Sequence, residues 1–201
     1  MFTGIVQHVG RITAAEPTAS GIRITVDPCG WAHAPARGDS IGVSGTCLTV
    51  VESVDGAWAF DAVPQTLGRT TLGALHTLPR AVNLEHAVLA STPMGGHIVQ
   101  GHVDGVGRVA AIMTEGQWRV RIEPPAEAAP CIVAQGSITV DGVSLTVVSV
   151  DDDGFTVSLI PATLAHTTLG RLQVGDPVNL EVDAIAKYVE RLLQARSDDS
   201  R

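Results

Sequence analysis

The chain has 201 residues, 45% of them apolar but only 3% aromatic, with a net charge of −8 and a pI near 5.2. The acidic balance and the lack of any basic run argue against a nucleic-acid partner, and there is no stretch of about 18 apolar residues to span a bilayer. Three cysteines, Cys29, Cys47 and Cys131, without C-x-x-C spacing fit neither a disulfide framework nor a zinc site and predict reduced thiols in a cytoplasmic protein.

The opening M-F-T-G-I-V-Q-H lacks the basic and apolar regions of a secretory signal, so none is expected. Short apolar runs between turn signals predict strands over 22–26, 41–43, 48–52, 58–63 and 81–85. Ser44-Gly45 reads as a hairpin turn and Asp55-Gly56 as another. Pro64 ends the fourth run, and a proline there presets the first turn of a helix, so a short helical turn should follow. After a flexible stretch at 90–96 the series returns. Strands are expected over 117–122, 138–140, 145–150, 155–160 and 178–182, with turns at Asp141-Gly142 and Asp153-Gly154 and a second helical turn after Pro161. Ile185, Tyr188, Val189, Leu192 and Leu193 then recur at helical spacing behind a capping Asp183. Two partners are open to that apolar stripe: its own domain, or the same helix of other subunits.

The two series are one sequence written twice, 97 residues apart. S-I-G-V-S-G-T-C-L-T-V at 40–50 meets S-I-T-V-D-G-V-S-L-T-V at 137–147, and from Ser40 to Leu75 17 of 36 positions match without a gap. A repeat of that length is a small domain rather than a solenoid unit. The reading is all-β: two tandem barrels over 1–89 and 97–184, a linker at 90–96, and a helix with its tail at 185–201. Closure into barrels is favoured because it leaves no open strand edge.

Polar differences between the copies point to chemistry. Ile5 becomes His102, Gln7 becomes Asp104, Ser44 becomes Asp141 and Cys47 becomes Ser144. An imidazole can move protons near neutral pH, and a thiolate can add to an electrophilic carbon. Structural alternatives stand beside each: Asp141-Gly142 as a plain turn, Cys47 as a small apolar residue, His102 as a satisfied structural histidine. His97 and His102 are five apart and complete no metal site. Gly101, Gly105 and Gly107 do not precede a long helix, which excludes a dinucleotide loop, and Ser144 is not in a nucleophile elbow. On residues alone the reading is a duplicated barrel that binds two similar ligands or ligand halves.

M-F-T-G-I-V at the start, G-T-C-L-T-V at 45–50, G-G-H-I-V-Q-G-H-V-D at 95–104, V-D-G-V-S-L-T-V at 140–147 and L-I-P-A-T-L at 159–164 resemble riboflavin synthase of the alpha-chain type, over essentially the whole chain. The resemblance implies two six-stranded Greek-key lumazine-binding barrels and a C-terminal helix that assembles a homotrimer. It implies a transferase that dismutates two molecules of 6,7-dimethyl-8-ribityllumazine to riboflavin and 5-amino-6-ribitylamino-uracil by four-carbon transfer, with no metal or organic cofactor. Lumazine synthase is a candidate partner protein.

On the family pattern Gly4, Ile5, Val6, Cys47, Leu48, Thr49, Asp61, Ala62, Val63, Pro64, Gln65 and Thr66 line an N-barrel pocket, with Ser40 nearby. Gly101, His102, Val103, Ser144, Leu145, Thr146, Ser158, Leu159, Ile160, Pro161, Ala162 and Thr163 line a C-barrel pocket, and Gln135 approaches the ligand of a neighbouring chain. His102 is expected to shuttle a proton and Cys47 to act as nucleophile or polar positioner. Ser144 and Asp141 would orient the second ring. The chain departs from the family at Ser44 (commonly Asn), at Gln65 and Ala162 (commonly Glu) and at Gln135 (often Lys). A lumazine- or flavin-binding protein without turnover, and a trimeric scaffold with a decayed site, are the competing classes.

Overall fold

A computed structural model describes residues 1–198; the end of the expected tail, 199–201, lies outside the described residues. Twelve strands form two closed antiparallel barrels. In the first, β1 (His8–Thr18), β2 (Gly21–Asp27), β3 (Ser40–Val43), β4 (Thr46–Val54), β5 (Ala57–Ala62) and β6 (Arg80–His86) close in the order β1-β2-β5-β4-β3-β6. In the second, β7 (Gly105–Met113), β8 (Trp118–Glu123), β9 (Ser137–Val140), β10 (Val143–Asp151), β11 (Gly154–Leu159) and β12 (Pro177–Val182) close in the equivalent order. The duplication extends to irregularities: the bulge at Ile12/Ala14 returns at Val109/Ala111, and that at Val50/Glu52 returns at Val147/Ser149.

Alternation builds each core. Along β4, Thr46, Leu48 and Val50 are buried while Cys47 and Thr49 face outward, as a two-residue period requires. Ile12, Ile24, Ile41, Leu48, Trp58, Phe60 and Leu84 fill the first barrel; Val109, Ile122, Ile138, Leu145, Phe155 and Leu180 fill the second. Ser44-Gly45 and Asp141-Gly142 all have positive φ, the conformation a two-residue hairpin needs to match strand twist. The helical turns expected after the prolines are α1 (Pro64–Arg69) and α2 (Pro161–His166), each with Pro at its start. The first strand of each barrel, β1 and β7, was not among the expected strands. Their bulges break the two-residue period, and glycine and alanine leave little apolar signal.

The barrels pack about an approximate two-fold axis. Each has one buried asparagine that reaches across the seam. Asn83 Nδ2 donates to the Asp141 carbonyl at 2.9 Å and its Oδ1 accepts from Thr168 N–H at 2.8 Å. Asn179 does the same toward Ser44 and Thr71, at 2.8 and 2.7 Å. Gly45 and Gly142 meet back to back; a Cβ on either would lie 2.7 or 2.6 Å from the other's backbone nitrogen.

The C-terminal helix α3 (Ala184–Asp198) starts at Asp183, whose Oδ1 accepts from Ile185 N–H at 2.9 Å. Its stripe is not covered by its own barrel: Ile185, Tyr188 and Leu192 are 68%, 72% and 65% exposed. Among the described residues no helix is long and apolar enough to cross a membrane.

Candidate active site

Each barrel is preceded by an extended lead segment, and the two segments pair with each other across the axis. Phe2 N–H donates to Val99 O at 2.7 Å and Val99 N–H to Phe2 O at 3.2 Å. Two buried carboxylates hold the segments by their backbone donors. Glu85 accepts from Thr3 N–H, Thr3 Oγ1 and Gly4 N–H at 2.7–3.0 Å. Glu181 accepts from Gln100 N–H and Gly101 N–H at 2.8 and 2.9 Å. Burial pushes both carboxyls up, against the pull of those donors.

This pairing carries each segment past its own barrel onto the other one. Cys47 N–H donates to Gly101 O at 2.9 Å, and Ser144 N–H donates to Gly4 O at 2.7 Å. Gly101 and Gly4 have φ of +79° and +75°, and a Cβ on either would lie 2.6 Å from the Cβ of Cys47 or Ser144. Only glycine allows that approach. The expected partition therefore changes. Gly101, His102 and Val103 stand with Cys47 on the N-barrel, while Gly4 stands with Ser144 on the C-barrel and the side chain of Val6 packs against the C-barrel core.

The first pocket is an open cleft of about 400 Å³ lined by Thr46, Cys47, Gln65, Thr66, Arg69, Gly101, His102, Val103, Asp104 and Lys187. It brings a thiol and an imidazole together. Lys187 comes from α3 and pairs with Asp104 at 2.7 Å; with no helix after the first repeat, comparing copies could not reveal it. At the equivalent place on the second barrel, Ser144 stands against Gly4, next to the exposed Ile5. Here the hydroxyl has its own imidazole: His97 Nδ1 lies 2.8 Å from Ser144 Oγ. His97 lies just after the linker, in a stretch that the comparison of the two copies does not pair, so that comparison could not reveal it.

The other expected residues divide by strand face. Thr49, Thr146 and Ser158 face outward on β4, β10 and β11, and Val63, Pro64, Ile160, Pro161 and Ala162 are exposed, with Thr163 half-buried, at the starts of α1 and α2. Leu48, Ala62, Leu145 and Leu159 face the barrel cores at 1–9% exposure, so only their backbones can meet a ligand. The carboxylate of Asp61 is held by Arg23 at 2.8 and 2.9 Å, which lowers its pKa. Ser40 pairs with Thr49 across β3–β4 and borders a separate cleft with His33, Asp39 and His86. Gln135 is exposed with φ +65°, its N–H donating to Val147 O at 2.8 Å.

Asp141 is a correction. Expected beside the second ring, it lies in the seam, 6% exposed, with Oδ1 accepting from Asn179 N–H at 2.8 Å. Ser44 Oγ accepts from Asn83 N–H at 3.2 Å in the mirror position, so the Ser44/Asp141 difference belongs to barrel docking. Burial raises the Asp141 carboxyl to about 6. An unfolded aspartate titrates near 4, so between about pH 4 and 6 the unfolded chain loses its proton first and stability falls; above pH 6 the deficit is constant, up to about 3 kcal/mol. Asp141→Asn keeps the acceptor for Asn179. It should unfold at higher temperature than wild type at pH 7, with the gap closing near pH 4. Equal stability at pH 7 would refute this reading.

A duplicated barrel that repeats one outward-facing framework with unlike side chains, Cys47 in one copy and Ser144 in the other, is suited to two similar ligands. A sequence profile described as "Lumazine binding domain" matches residues 3–87 and again 100–183. A riboflavin synthase of Mycobacterium bovis is 49% identical over 201 residues, covering 97% of this chain and 99% of its own. LumP solved with 6,7-dimethyl-8-(1′-D-ribityl) lumazine has TM-score 0.80 at 28% identity, over 91% of this chain and 99% of that one. LumP solved with riboflavin has TM-score 0.82 at 29% identity, over 91% of this chain and 100% of that one. The chain belongs to the riboflavin synthase family of lumazine-binding-domain proteins.

Proposed function

We propose that the chain converts two molecules of 6,7-dimethyl-8-ribityllumazine to riboflavin and 5-amino-6-ribitylamino-uracil, one molecule donating four carbons to the other. The observation that carries this is the pairing of like frameworks with unlike chemistry: Cys47 and His102 line one cleft, and the Ser144 hydroxyl lies 2.8 Å from His97 on the other barrel. Two identical substrates need two similar pockets, and two different products need those pockets to be unequal. The products together hold the atoms of the two substrates, so the transfer balances without an added oxidant or reductant.

Cys47 and Ser144 both stand on outer barrel faces. We assign the reaction to a homotrimer in which the N-barrel pocket of one subunit faces the C-barrel pocket of the next, with Gln135 reaching toward the neighbour's ligand. Holding the rings face to face offsets the entropy of their encounter, worth up to roughly 7–11 kcal/mol in well-oriented systems. His102 moves the proton of the 7-methyl group, and the ring delocalises the carbanion. The free thiols at Cys29, Cys47 and Cys131 support a cytoplasmic setting.

A second reading, lumazine or flavin binding without turnover, is favoured only by the likeness to LumP. Incubating the purified protein with 6,7-dimethyl-8-ribityllumazine at neutral pH decides between them. Riboflavin should form at one molecule per two substrate molecules with no additive. Tight binding without riboflavin would select the second reading.

A further inference from the structure

The seam between the barrels opens on one side into a cleft of about 550 Å³, lined from both repeats and touching neither Cys47 nor Ser144. Its charges come from positions where the copies differ. Arg80 stands where the second copy has Pro177, Arg171 where the first has Ala74, and Asp141 where the first has Ser44. Asp176 likewise matches a neutral Pro79. These groups do not neutralise one another: among the described residues no ion pair joins them. Arg80 makes one hydrogen bond, from Nη1 to Thr71 O at 3.1 Å, and the exposed guanidinium of Arg171 has no partner among the described residues. Asn179 N–H takes Oδ1 of Asp141 at 2.8 Å and leaves Oδ2 over. Gln173 N–H takes Oδ2 of Asp176 at 2.8 Å and leaves Oδ1 over. Burial raises the Asp141 pKa; Arg80 opposes that and Asp176 adds to it, so all three groups share one local field.

We propose that this cleft binds the phosphate monoester of a small sugar or polyol across the barrel seam, its phosphate on Arg80 and Arg171 and its hydroxyls on Asp141 and Asp176. Guanidinium forks match phosphate oxygens in geometry as well as charge. A carboxylate oxygen left over accepts from a hydroxyl. A bare anion would meet both carboxylates at close range and gain nothing from them. A ligand with an anionic head and a hydroxylated tail uses both signs of the cleft. Asp141 is 6% exposed, which favours a hydroxyl there over an ammonium, whose burial costs far more. The volume lies within the range of small-molecule sites, about 300–1,000 Å³. A ligand held by both barrels stabilises their docked, folded form by mass action.

Calorimetric titration of the full chain with ribose 5-phosphate at pH 7 tests this, beside inorganic phosphate and unphosphorylated ribose. Ribose 5-phosphate should bind and should raise the thermal unfolding temperature. Inorganic phosphate should bind about 10-fold more weakly or worse, and ribose not measurably. Arg171→Ala gives the second copy the side chain that the first has at Ala74. It should weaken ribose 5-phosphate about 10-fold or more and leave the unliganded unfolding temperature unchanged. No binding of ribose 5-phosphate by the wild type, or equal binding by Arg171→Ala, would overturn the proposal. Inorganic phosphate bound as tightly as the sugar phosphate would overturn it too, since the carboxylates would then play no part. Riboflavin formation enters none of these readouts, so failure here leaves the proposed reaction standing.

Discussion

Replacing Val189 and Leu192 together by glutamate should convert the protein to folded monomers and lower riboflavin formation by about 100-fold or more. Both residues belong to the α3 stripe, half or more exposed in the isolated subunit. An amphipathic helix with a bare stripe is stable in solution only when something covers it. The helix is tied toward its own barrel by the Lys187–Asp104 pair, which does not use the stripe. New carboxylates there would have to be desolvated inside any helix–helix contact, at several kcal/mol each, yet cost the isolated subunit nothing. Lys187 stays in place, so the first pocket is intact and lost activity reports lost assembly. Sedimentation with near-ultraviolet circular dichroism checks both halves. A variant that sediments like wild type, or a monomer that turns over at the wild-type rate, contradicts the assembly.

Asn179→Ala should cost about 2–6 kcal/mol of stability, from two buried groups left without partners at about 1–3 kcal/mol each. The side chain is 1% exposed and joins Thr71 N–H to the Ser44 carbonyl across the seam. Asn83→Ala should cost a similar amount by the mirror argument through Thr168 and Asp141. Asn179→Asp would not rescue it, because its donor would become an acceptor facing the Ser44 carbonyl beside Asp141. Urea midpoints measure the effect. A loss below about 0.5 kcal/mol, the range of ordinary surface substitutions, would mean the asparagines do not hold the barrels together.

The barrels were legible in the chain because turn chemistry repeats: Ser44-Gly45 and Asp141-Gly142 mark hairpins, and Pro64 and Pro161 mark helix starts. Strands β1 and β7 were hidden by bulges, although V-G-R-I at 9–12 recurs as V-G-R-V at 106–109. The outward set Cys47, Thr49, Ser144 and Thr146 follows from strand alternation. What could not be read was which lead segment serves which barrel. That depends on Phe2 pairing with Val99, a backbone contact that leaves no residue pattern. Asp141 was misread for a related reason. An Asp-Gly turn has one appearance in sequence whether it faces a ligand or another domain. His97 escaped notice because comparing two copies can expose only positions that both copies contain.

Mixing two inactive variants tests the central claim, that unequal pockets from neighbouring subunits combine. Cys47→Ala with His102→Ala disables the first pocket, and Ser144→Ala disables the second. Each protein alone should make little riboflavin. Unfolded together and refolded as mixed trimers, about a quarter of their interfaces would join an intact first pocket to an intact second one, and riboflavin formation should return to that fraction of wild type. Mixed trimers as inactive as either parent would contradict the account.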